Sequence, residues 1–128
     1  MKILGIGVDV IQNKRIKHLV RKASFIKRIY GKNEVKYSKK ISNKINFFAK
    51  RFAAKESFAK SLGTGFGKKL EFKDIEVLND KIGKPYFLQS KKMDNIIKKR
   101  FKIKRYNLFL SISDEKDYSI AFTILQKK

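Results

Sequence analysis

The chain has 128 residues, 42% of them hydrophobic, with 33 Lys and Arg against 11 Asp and Glu for a net charge of +22. That length suits one domain with a modest core, and the apolar share is too high for a disordered chain. The absence of Cys excludes disulfides and thiolate metal sites; a lone histidine, His18, excludes a zinc centre of several imidazoles and leaves a serine–histidine triad little to stand on.

The first ten residues predict a strand, with Leu4, Ile6, Val8 and Val10 alternating against Gly5, Gly7 and Asp9. Two glycines beside a carboxylate leave one face bare, for a close ligand or for another backbone. The glycines and the carboxylate also rule this segment out as a signal peptide, and no apolar run approaches membrane-spanning length. A soluble, intracellular protein is expected.

Asn13 is expected to cap a short helix with Ile16, Leu19 and Val20 on one face and Lys14, Arg15, Lys17, Arg21 and Lys22 outward. Ser24 is expected to cap a second turn ending at Gly31, and residues 33–44 to form a short helix and a mobile loop. The clearest helix runs from Ile45 to Leu62 and stops at Gly63. Lys69 to Leu78 reads as a strand, and residues 79–84 as a turn into Tyr86, Phe87 and Leu88. A basic helix is expected over 91–101 with Met93, Ile96 and Ile97 inward, followed by strands on Leu108, Leu110 and Ile112 and on Tyr118, Ile120, Phe122 and Ile124. With no repeat or Pro/Gly-rich linker, the class is α+β: one domain over residues 1–128, antiparallel strands packed on one long helix and shorter helices.

At about 100° per residue, Glu56 shares a face of the long helix with Ile45 and Phe52, while Phe47, Ala54 and Phe58 point the other way. A carboxylate there needs a partner, either Lys60 one turn on or a metal ion. After the helix, Gly63-Thr64-Gly65-Phe66-Gly67-Lys68-Lys69 has the materials of a phosphate loop, but its spacing and place are not those of a Walker A loop, and Gly63 could simply end the helix. Oxygen ligands and lysines remain, a set that suits magnesium and phosphate chemistry.

The charge is uneven: twelve basic residues and one acid lie between Lys14 and Lys44, and eight and one between Lys91 and Arg105. Such a field attracts a polyanion, whether nucleic acid, anionic membrane or acidic protein. Only six of the 33 basic residues are Arg, so A/T-rich codon usage also accounts for part of the excess. A basic nucleic-acid-binding domain is the alternative reading, but no RNP, zinc-finger or helix-turn-helix signature accompanies the charge.

Read together, GIGVDVIQNKRI (Gly5 to Ile16) and RFAAKESFAKSLGTG (Arg51 to Gly65) resemble the two signatures of the holo-acyl-carrier-protein synthase family, in order and separation. NDKIGKPYF (Asn79 to Phe87) and LSISDEKDYSIA (Leu110 to Ala121) resemble that family's later segments, so the likeness spans almost the whole chain. The resemblance implies the 4'-phosphopantetheinyl transferase fold and a magnesium-dependent transferase. It would move phosphopantetheine from coenzyme A to a serine of apo acyl-carrier protein, releasing 3',5'-ADP, in fatty acid biosynthesis. It implies Asp9 and Glu56 as Mg2+ ligands, Glu56 and Lys60 as catalytic groups, and Lys60, Gly63, Thr64 and Gly65 beside the coenzyme A phosphates. Arg15, Arg21 and Arg28 fall on the basic helical segment that docks the carrier. A cytoplasmic homotrimer with coenzyme A at the subunit boundaries is implied, with no membrane or nucleic-acid partner. One position departs: Asp114 stands where many members have a histidine, and a carboxylate repels a phosphate that histidine would hold.

Overall fold

The structure, a computed structural model, describes residues 1–67 and 69–128. Strand β1 (Lys2–Gln12) leads into three short helices, α1 (Asn13–Leu19), α2 (Ala23–Ile29) and α3 (Lys32–Ser38). The long helix α4 (Lys44–Leu62) follows, then a 3-10 turn (Phe72–Asp74) and the short strands β2 (Val77–Asn79) and β3 (Pro85–Phe87). Helix α5 (Lys91–Phe101) and the long strands β4 (Tyr106–Asp114) and β5 (Tyr118–Lys127) complete the chain. The class is α+β, as expected.

All pairing is antiparallel: β1, β5 and β4 form a three-stranded sheet in that order, and β2 pairs with β3. Helix α4 lies across one face of the large sheet at backbone distance. A Cβ on Gly5 would stand 1.8 Å from the Ser61 carbonyl oxygen, and one on Gly7 1.9 Å from that of Ser57. The glycine-cleared face therefore receives a helix backbone and not a ligand. Hydroxyls fill the rest of the seam, with Ser57 Oγ and Thr123 Oγ1 2.6 Å apart. Among the described residues nothing covers the opposite face. Ile6, Val8 and Val10 on β1 meet Ile124, Phe122 and Ile120 on β5 in register, and Ile6, Val8 and Val10 are each at least 50% exposed.

The boundaries of α4 follow from its ends. Asn43 Oδ1 accepts from the Asn46 amide at 3.1 Å, and Gly63 closes the helix at φ 79°, a conformation that costs other residues energy. Three local expectations fail. Asn13 is not a cap: Gln12 holds that place without a side-chain bond, and the buried Asn13 amide donates to the Glu115 and Lys116 carbonyls while its oxygen accepts from Ser119 Oγ. Long-range ties to the β4–β5 turn outcompete the local bond. Ser24 lies inside α2, whose cap position is Lys22. The strand expected from Lys69 to Leu78 is reduced to Val77 and Leu78 at its end, because Lys55 Nζ takes the carbonyls of Phe72 and Ile75 and Asp74 Oδ2 takes the Glu71 amide. Across residues 39–43, Lys44 Nζ donates to the Ser38 and Ile41 carbonyls.

Candidate active site

Because Gly5 and Gly7 let α4 settle onto β1, the next residue on that strand face, Asp9, comes against the C-terminal half of the helix. Its side chain is 16% exposed. Lys60 reaches back from α4 to donate to Asp9 Oδ1 at 3.1 Å and to the Val8 carbonyl at 2.9 Å. Glu56 lies one turn before Lys60 and is half-buried. Burial raises its carboxyl above the ordinary value, the Asp9 charge raises it further, and Lys60 and Arg15 pull it back. Four charged groups therefore act on one another here.

The local helical pair weighed for Glu56 does not form: Lys60 spends its ion pair on Asp9, and among the described residues no cation lies within 4.0 Å of Glu56. Two neighbouring carboxylates, one of them paired with an ammonium, make a hard oxygen donor set suited to a divalent cation. Among the described residues no group of three or more His, Cys, Asp or Glu could hold a metal, so such an ion would draw on this pair and on water or substrate oxygens.

Beyond α4, Gly63 and Thr64 are exposed and Gly65 is half-buried, beside a cleft of about 360 Å3 also lined by Lys69, Lys99 and Arg100. Lys68, one of the loop's two lysines, lies outside the described residues. A Cβ on Gly63 would stand 3.5 Å from an Arg100 guanidinium nitrogen. Sequence reasoning missed Lys99 and Arg100 as neighbours of this loop. Their sole signal was the basic run at the end of α5, which does not say where the helix packs.

Arg15, Arg21 and Arg28 are all exposed. Arg15 and Arg28 flank an apolar groove of about 540 Å3, walled by Leu19, Phe25, Phe52, Phe66 and Phe72. Phe52 stacks on Phe25 and Phe72, at 6.3 and 5.5 Å between ring centres. Arg21 is outside that groove. Since Arg15 also acts on Glu56, the groove opens beside the carboxylates. Asp114 is exposed, accepts from Asn46 Nδ2 at 2.7 Å, and sits by the N-terminal turn of α4, ten residues of helix from Glu56. His18 faces solvent.

Over residues 5–123 the chain matches the sequence profile of the 4'-phosphopantetheinyl transferase superfamily. It is 58% identical over 128 residues to a holo-[acyl-carrier-protein] synthase of Pelagibacter ubique, covering 100% of both chains. It is 44% identical to one of Ehrlichia chaffeensis, covering 96% of each. Its fold is similar to that of the holo-(acyl-carrier-protein) synthase of Bacillus anthracis solved in complex with CoA (3',5'-ADP), with TM-score 0.83, 36% identity and 100% of both chains covered. The synthase of Neisseria meningitidis superposes with TM-score 0.87 at 36% identity, over 98% of this chain and 99% of that one.

Proposed function

The chain belongs to the 4'-phosphopantetheinyl transferase superfamily, and from that premise we propose that it is a holo-acyl-carrier-protein synthase serving fatty acid biosynthesis in the cytoplasm. It moves the 4'-phosphopantetheine arm of coenzyme A to a serine of apo acyl-carrier protein and releases 3',5'-ADP. The observation that carries this reading is the meeting of Asp9, Glu56 and Lys60 where the two signature motifs pack together.

In the transfer, the serine oxygen forms a bond to the pantetheine-side phosphorus while the bond from that phosphorus to the bridging oxygen of the diphosphate breaks. The electron pair leaves on 3',5'-ADP, and the serine proton passes to Glu56 or to water. Asp9 and Glu56 would hold a magnesium ion, which would supply charge neutralisation for the transferring phosphate. Lys60, anchored through Val8 and Asp9, holds an ammonium against the negative charge of the phosphates. Thr64 and Gly65, with Gly63 beside them and Lys99 and Arg100 across the cleft, form the phosphate-binding end of the coenzyme A site. The groove between Arg15 and Arg28 receives the carrier, its basic rim meeting carboxylates and its aromatic wall meeting apolar side chains. Arg21, exposed but outside the groove, adds positive charge to the same helical segment.

The protein acts as a homotrimer. The uncovered sheet face, with Ile6, Val8, Val10, Phe109, Ile120 and Phe122 all exposed, supports burial against further copies, and the resemblance gives the number.

The test incubates the purified protein with coenzyme A, Mg2+ and apo carrier, then weighs the carrier for one added phosphopantetheine. Activity should vanish with a chelator and return with Mg2+. Glu56→Gln should lower turnover by about 100-fold or more with an unchanged melting curve, as expected when a transition-state contact is lost. An unmodified carrier in the wild-type reaction overturns the reading.

A further inference from the structure

A second groove, of about 830 Å3, opens on the other side of α2 from the one assigned to carrier docking. At about 100° per residue, Ile26 and Lys27 of α2 face it together with Tyr30 at the helix's C-terminal cap, whereas Phe25, Arg28 and Ile29 face the first groove. The exposed crest of Ser24, Lys27 and Arg28 runs between the two, so both open on one surface. The floor is apolar, with Val35 of α3 half-buried beside Ile26 and Tyr30.

The rim is cationic. Lys32 and Lys36 lie one turn apart on α3, and Lys39 follows at its C-terminal cap, opposite Lys27. None of these four lies within 4.0 Å of a carboxylate among the described residues. Of the two acids at the groove, Asp74 is paired with Lys92, and Glu76, held by neutral donors, offsets only part of the rim's charge. Asp74 accepts from Lys92 at 2.8 Å and from the Glu71 amide, and Glu76 accepts from the amides of Asn33 and Glu34 and from the Asn33 side chain. Like charges one turn apart on a helix repel, so an unneutralised rim costs stability that an anionic partner returns. An apolar floor between two basic rows fits an amphipathic acidic helix better than a free phosphate, which has nothing to place on Ile26 and Val35.

We propose that this α2–α3 groove is a second docking surface for the same acyl-carrier protein, taking an acidic helical stretch outside the region that carries the reactive serine. The proposal rests on the transferase reading above. A standard interface buries about 800 Å2 per partner, a patch roughly 16 Å in radius. A helix with side chains is about 10 Å across, so a carrier seated on the first groove spans the α2 crest and covers the second. The groove makes carrier choice depend on acidic surface away from the modified serine.

The experiment compares steady-state kinetics of wild type, Lys32→Glu/Lys36→Glu, Lys32→Ala/Lys36→Ala, and the control Lys104→Glu, an exposed lysine outside both grooves. Charge reversal should raise the carrier KM about tenfold and the alanine pair about threefold, with kcat and the KM for coenzyme A unchanged. The wild-type carrier KM should also rise more steeply with salt than that of the reversed variant. An active wild type whose carrier KM is the same in the groove variants as in Lys104→Glu overturns this proposal alone; an inactive wild type overturns the transferase reading. Binding to a short duplex DNA, measured in parallel, would overturn the proposal if the groove variants lose it while their carrier KM stays at the wild-type value.

Discussion

Removing the ammonium of Lys55 is the sharpest test of how this fold is held. The side chains of Lys55 and Glu34 are both 0% exposed, with Nζ 2.6 Å from Oε1. Burial alone pushes the lysine down and the glutamate up from their ordinary values, and each partner's charge pulls the other back. The hydrogen-bond inventory favours the ionised pair. Three N–H donors on Lys55 meet three acceptors, Glu34 Oε1 and the carbonyls of Phe72 and Ile75, while Glu34 also accepts from the amides of Gly31 and Val77. Lys55→Met keeps the length and deletes the charge, leaving a buried carboxylate and two carbonyls short of a partner. Breaking such a pair costs about 3–5 kcal/mol. At roughly 3–4 °C per kcal/mol for a chain of this size, the melting temperature should fall by about 10–20 °C, measured by circular dichroism. Lys55→Met/Glu34→Gln should recover part of the loss, because it removes the stranded charge. A single variant melting within about 3 °C of wild type would refute the assignment of Lys55 as a buried structural cation.

Three further outcomes follow from the packing. Gly7→Ala drives a Cβ to 1.9 Å from the Ser57 carbonyl oxygen, so the strand must lift from the helix; melting should fall by about 5–10 °C, and an unchanged melt would mean that α4 lies further from β1. Val8→Asp puts a carboxylate in the middle of the uncovered sheet face, where Val8 is 50% exposed; sedimentation should show the oligomer replaced by folded monomer, and a monomeric wild type defeats the trimer proposal. Asp114→His replaces an exposed acceptor whose one side-chain partner is Asn46, so stability should change by no more than about 0.5 kcal/mol in urea unfolding, and a larger loss would mean that Asp114 carries a structural contact.

The parts of the fold set by local pattern were legible. The alternation of β1, β4 and β5, the Gly63 stop of α4 and the inward face of Met93 and Ile97 on α5 stand close to where periodicity puts them. What periodicity could not show was anything that depends on a distant atom. Asn13 looks like a cap until the β4–β5 turn, about a hundred residues away, claims its amide. Residues 69–78 alternate like a strand, but their carbonyls are taken by a lysine from α4. By sequence the bare face of β1 suits either a ligand or a backbone, and only the approach of α4 decides between them. At the candidate site, Glu56 and Lys60 were legible as a pair on one helix face. That Lys60 turns to Asp9 depends on how deeply the glycines let the helix settle.

Two adjacent residues of α4 connect these observations. Glu56 faces β1, where its carboxyl feels Asp9, Lys60 and Arg15. Lys55, about 100° around the helix, points into the protein and holds the Phe72 carbonyl, and the Phe72 ring walls the groove beside Arg15. The motif that places a carboxylate at the proposed active site therefore also anchors the wall of the surface proposed to receive the carrier. The small residues at Gly5, Gly7, Ser57 and Ser61 leave α4 little room to shift or rotate on the sheet. Any rotation of α4 would move Glu56 relative to Asp9 and Phe72 relative to Arg15 together. Substitutions in this seam should then change turnover and carrier affinity in parallel, whereas changes on the basic rims alter affinity alone. Packing between a glycine-cleared strand and one helix is thus the feature that would couple the proposed docking surface to the proposed active site.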